Sequence, residues 1–148
     1  MATIIGEQMK RIFTLLLLVL TQVSMADCQV LLNKVNTCVD YKWTSGPYLN
    51  SRGQRNFSEL EVKFFMKDDA SESPIKIDGI KVYPWMIMAG MQHGTRPVQT
   101  TALTNGSYLV SEIFLRKMMG HWEIRFGEDS DDFDPQNDDH ILGKFIIK

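Results

Sequence analysis

The residues best able to do chemistry in this chain are its methionines and histidines. Nine methionines and three histidines occur in 148 residues. Five of the methionines fall in two clusters, each with a histidine: Met86-Ile87-Met88-Ala89-Gly90-Met91-Gln92-His93-Gly94 and Met118-Met119-Gly120-His121-Trp122. A thioether sulfur is a soft, neutral ligand suited to Cu(I), and imidazole also binds copper. Thioethers form no disulfides, so an exported protein can use them where a thiolate would be oxidised. The candidate donors are Met88, Met91, His93, Met119 and His121. Packing or plain exposure is the competing use, because methionine fills irregular cores and packs on aromatic rings, and Trp85 and Trp122 flank the clusters. Met86 and Met118 are expected in the core, and so is Met66. Gly90, Gly94 and Gly120 are expected to serve turns.

These side chains need a scaffold, and the sequence spells one in short strands. Leu60, Val62, Phe64 and Met66 alternate with Glu59, Glu61 and Lys63, the period of two that marks a half-buried strand. Residues 80–83 alternate again, with Pro84 expected to stop that strand or place it at an edge. Tyr108 to Leu115 is β-rich and follows the turn signal Asn105-Gly106. Trp122, Ile124 and Phe126 alternate with His121, Glu123 and Arg125, which places His121 on a polar, solvent-facing side. Ile141 to Ile147 closes the chain with another strand. No stretch carries a 3.6-residue apolar stripe, and there is no internal repeat. Short strands with turn signals between them predict an antiparallel β-sandwich. Leu103 to Tyr108 reads as a tyrosine corner, with the Tyr108 hydroxyl tied back to the preceding turn.

The first 26 residues read as a leader. Lys10-Arg11 forms a basic start, Ile12 to Leu20 is an apolar run with one Thr, and Ser24 and Ala26 are small residues before a cut. This is the layout of a secretory signal peptide cleaved after Ala26. The run is shorter than the roughly 20 apolar residues that a spanning helix needs. Translation from Met1 and from Met9 both fit the pattern. Residues 27–148 are then a single β-sandwich domain in the periplasm or secreted, with no transmembrane helix. Asp27 before Cys28 disfavours lipoprotein processing. In an oxidising compartment Cys28 and Cys38, ten residues apart, are expected to form a disulfide that staples the N-terminus to the domain.

The motifs around the clusters resemble the YtkA-like/FixH-like family of periplasmic domains. The resemblance rests on Met88, Met91, His93, Gly94 and Pro97, then Gly106, Tyr108, Met118, Gly120 and Trp122. It covers about a third of the chain, Trp85 to Phe126, densely. It implies an immunoglobulin-like antiparallel β-sandwich, all-β, accessory to copper or heavy-metal handling or to cytochrome oxidase assembly. Two features depart from the family. FixH-type proteins keep a membrane helix where this chain looks cleaved, and the loop here carries one histidine where relatives often carry more.

Other classes are disfavoured. The net charge is −2, with no basic run after residue 11, so the cationic footprint of a nucleic-acid binder is missing. No Gly-x-Ser-x-Gly elbow, His-Glu-x-x-His or phosphate-cradling glycine loop marks an enzyme, and no small-molecule substrate is implied. Glu128 to Asp139 holds seven acidic side chains but lacks the EF-hand spacing, so it is expected to be a solvated hairpin loop, with His140 a surface residue. Two functions remain: a Cu(I)-binding module that hands metal to an envelope protein partner, and a metal-free envelope domain whose work is docking.

Overall fold

Period-two alternation builds two antiparallel sheets that face each other across one apolar core. The computed structural model describes residues 27–50 and 55–148; the expected leader, residues 1–26, lies outside the described residues. The strands are β1 (Val30–Leu32), β2 (Thr37–Ser45), β3 (Ser58–Met66), β4 (Ile80–Met88), β5 (Met91–Gly94), β6 (Gln99–Ala102), β7 (Tyr108–Ile113), β8 (His121–Glu128) and β9 (Ile141–Ile147). One sheet has the order β1-β2-β3-β7-β6 and the other β5-β4-β8-β9. No described helix is long and apolar enough to cross a membrane.

The inward faces are the ones alternation predicts for β3 and β8. Leu60, Val62 and Phe64 of β3 meet Trp122, Ile124 and Phe126 of β8 in one buried cluster. Phe64 and Phe126 pack edge to face with ring centroids 6.1 Å apart, an arrangement that suits the ring quadrupoles. The stacked pair Tyr41–Phe145 closes the core beside them at 3.7 Å. On the outer side of the first sheet, Cys28 and Cys38 form the expected disulfide, with Cα atoms 5.3 Å apart. Cys38 lies directly opposite Phe65, which is fully buried despite its outward parity.

Several expectations need correcting. Met66 is exposed, because β3 ends on it and the chain turns off the sheet through Lys67. Met118 is 46% exposed rather than buried, since it sits in the β7–β8 loop and not on a strand. Pro84 does not stop β4, but the alternative expectation, an edge, holds locally. β4 runs on to Met88, pairing with β8 along its whole length, whereas β5 covers only Trp85 to Met88. The Pro84 carbonyl accepts from Thr95 N–H on the β5 side, so the missing Pro84 N–H points to the side where β5 has ended. The Tyr108 hydroxyl accepts from Ile77 N–H at 3.2 Å, tying down the 67–79 loop instead of its own preceding turn.

Candidate metal centre

The segment from Met86 to Gly94 is a β-hairpin rather than a loop. Gly90, with φ of 77°, completes a tight turn that an L side chain would strain. The register pairs Met88 with Met91 and Met86 with His93. Residues directly opposite in an antiparallel pair share a face, so Met86, Met88, Met91 and His93 all stand on the side of the sheet that faces the core. Depth then separates them. Met86 is fully buried, Met88 is half-buried, Met91 is 58% exposed and His93 is exposed on the edge strand.

His93 is fixed by the adjacent backbone and by one aromatic neighbour. Its Nδ1 lies 3.0 Å from the Gly94 carbonyl oxygen. A carbonyl only accepts, so Nδ1 donates, and in that tautomer Nε2 is the ring nitrogen not engaged by this contact. The ring stands edge-on to Trp122, with centroids 6.2 Å apart. Gly94 serves close approach, not a turn: a Cβ there would come within 2.9 Å of the Trp85 ring.

The β7–β8 loop brings the second methionine pair to the same end. Gly120 adopts φ of 110°, and an added Cβ would collide with the Ile87 carbonyl and approach Met88 Cγ to 3.0 Å. This close approach seats the loop against the end of β4. Upstream, Trp122 Nε1 donates to the Arg116 carbonyl at 2.9 Å, and Asn50 Nδ2 to the Leu115 carbonyl at 2.8 Å. Between these fixed points Met119 is 91% exposed. Side chains so open to solvent contribute little to the core, which removes the packing account for Met91, Met118 and Met119.

His121 stands apart from the other candidate donors. It pairs with Ile87 and shares the outer face with Glu123 and Arg125, opposite Met88, Met91 and His93. Its Nε2 lies 3.4 Å from Glu123 Oε1. The structure thus brings Met88, Met91 and His93 onto one face with Met119 in the adjoining loop, and leaves His121 on the other side of the sheet.

That outer face holds what alternation alone missed. Glu123 and Arg125 have side chains only 7% and 4% exposed. Arg125 donates from Nε and Nη2 to Glu123 Oε2 at 2.8 and 2.7 Å, and from Nη1 to the Pro135 carbonyl. Its guanidinium also lies over the Trp85 ring, 5.6 Å from the centroid. Lys144, directly opposite Arg125 on β9, sits 3.5 Å from Glu123 Oε2 and 3.6 Å from Asp138.

The cover is the acidic segment itself, which is not a free hairpin loop. Phe133 stacks on Tyr83 at 4.3 Å and fills the space above Gly127, where a Cβ would strike its ring. His140 is half-buried, its Nδ1 accepting from Asp134 N–H at 3.0 Å. The available signal was Phe133, the lone aromatic in an acidic run. Among the described residues, no three of His, Cys, Asp and Glu gather closely enough to hold a metal ion. No family model, curated protein or solved structure matches the chain.

Proposed function

We propose that this chain is an exported β-sandwich module that binds Cu(I) at its methionine-rich end, accessory to copper or heavy-metal handling or to cytochrome oxidase assembly. Met88, Met91 and His93 supply three donors, and Met119 the fourth from the adjoining loop. The observation that carries the reading is the β4–β5 register, which puts two thioethers directly opposite each other and an imidazole on the same face. Two or three thioethers with one neutral imidazole form a soft, uncharged set that favours Cu(I) over harder divalent ions. The sulfurs of Met91 and Met119 are open to an approaching partner, as metal transfer requires.

The resemblance to YtkA-like/FixH-like domains points the same way. Read as A-B-E-D against C′-C-F-G, the orders β2-β3-β7-β6 and β5-β4-β8-β9 support the immunoglobulin-like form of the sandwich. Anaerobic titration of residues 27–148 with Cu(I) against a chromophoric chelator tests the reading. One equivalent should be withdrawn from the chelator, and substitution of His93 or Met91 should weaken the withdrawal. Failure of the wild-type protein to compete at all would sink the copper reading.

A further inference from the structure

The methionine-rich end has a second property, visible only when the charges are placed on the fold. The segments that meet there are 44–50 and 55–57, 89–98, 114–120 and the C-terminal Ile147-Lys148. They are joined by the Asn50–Arg116 bridge, by edge packing of Phe57 on Phe114, and by the Tyr48 hydroxyl donating to the Ile147 carbonyl. None of these segments contains an Asp or Glu, yet they carry Arg55, Arg96, Arg116, Lys117 and Lys148. Glu59 and Glu112 stand just inside this rim, opposite Ser45 and bonded to Gln99, whereas the acidic run from Glu128 to Asp139 lies at the opposite end of the sandwich. Cations therefore outnumber acids at the methionine end despite a net charge of −2.

We infer that this end is a docking surface for an anionic lipid bilayer. Apolar side chains project there instead of lining a cleft: Met119 is the most exposed, with Met91 and Met118 beside it and Leu49 also open to solvent. Projecting apolar groups ringed by cations suit a surface they can enter, with the cations held at the headgroups. A folded protein partner would instead have to supply a matching hollow. This surface goes beyond the copper reading; it shares Met91 and Met119 with the proposed donor set, but its test does not, because Arg116, Lys117, Lys148 and Met118 lie outside that set.

The test uses residues 27–148, which hold every described strand, the whole core and the disulfide. Sedimentation with phosphatidylcholine vesicles containing roughly 30% phosphatidylglycerol is compared with pure phosphatidylcholine. Binding is expected only to the anionic vesicles and should fall as salt is raised. The double substitution Arg116→Glu/Lys117→Glu should weaken binding about tenfold or more. Met118→Asp and, to a smaller degree, Lys148→Glu should also weaken it. All of these side chains are exposed, so thermal midpoints should hold and the Cu(I) titration should be unchanged. No binding to anionic vesicles, or undiminished binding by the charge-reversed variant, would overturn the inference. Retention on polyglutamate without vesicle binding would also overturn it, and would reassign the end to an acidic polypeptide.

Discussion

The buried pair on the outer face of β8 gives the sharpest stability prediction. Glu123 and Arg125 are both almost fully removed from solvent, and two donors of Arg125 converge on one oxygen of Glu123. Truncating one partner leaves the other charged and buried, which costs about 3–5 kcal/mol. Glu123→Ala leaves Arg125 between Trp85 and the Pro135 carbonyl with only the exposed Asp138, 4.0 Å away, as a counter-charge; Arg125→Met strands Glu123 with only Lys144 and His121 nearby. Either loss would consume a large share of the 5–15 kcal/mol that typically stabilises a domain. Replacing both, as Glu123→Leu/Arg125→Met, removes both desolvation penalties and keeps the volume. That variant should lie within about 1–2 kcal/mol of the wild type. Urea unfolding followed by tryptophan fluorescence reads all four proteins, with a constant m-value required for the comparison. Equal and additive costs, so that the double variant is the least stable of the four, would show that the two side chains are not coupled and would refute the argument.

Three further outcomes are expected. His93→Ala should weaken Cu(I) binding about tenfold or more, whereas His121→Ala, on the opposite face, should leave it unchanged and move stability by no more than about 0.5 kcal/mol; the chelator titration and a thermal melt read both. Hydrogen bonds from Ser107, Lys42 and Asn105 hold the Glu61 carboxyl at about 2, below its ordinary 4.5. The stabilisation this gives is complete above that ordinary value and is lost as pH falls towards 2. Glu61→Gln should cost of order 1 kcal/mol at pH 7 after solvent screening, and should flatten the pH dependence between those two values. Non-reducing mass analysis should show no free thiol. Changing Cys28 and Cys38 to Ser should cost about 2–3 kcal/mol in urea unfolding, for a loop of this length.

The strands with strict alternation were legible because a single rule, apolar side inward, fixed both their existence and their faces. β8 shows how far that rule reaches. It placed Trp122, Ile124 and Phe126 in the core and His121 on the other side, as found. It failed on Glu123 and Arg125, since alternation says which face a residue takes and nothing about what covers that face. The cover is a non-local contact made by Phe133 and Pro135, and no local pattern encodes it. Met66 and Met118 failed for a related reason. Parity and composition do not report where a strand runs out, and both residues sit at or beyond a strand end. The Met86–His93 segment was readable as a cluster but not as a hairpin. Its short β5 carries only four residues, too few for a periodic signal, and its exposed Met91 and His93 mimic a loop.

This division of labour bears on how the methionine end should be understood. β8 pairs with β4 from Ile80↔Glu128 to Ile87↔His121, so the register of the hairpin's first strand is fixed along its whole length. The far half of that ladder is locked by Phe133 over Gly127 and by Arg125 under Pro135. Met86 and Trp122 lie opposite each other and are both buried, closing the core just inside the hairpin. With the register set from the acidic end and the core sealed at Met86, folding places no demand on the side chains of Met91, Met118 and Met119. A hydrophobic side chain held in water gains nothing from the fold and adds an aggregation risk. Met91, Met118 and Met119 are thus exposed side chains at this end that the fold leaves free for the copper and bilayer readings to test, with His93, Arg96, Arg116 and Lys117 beside them in sequence.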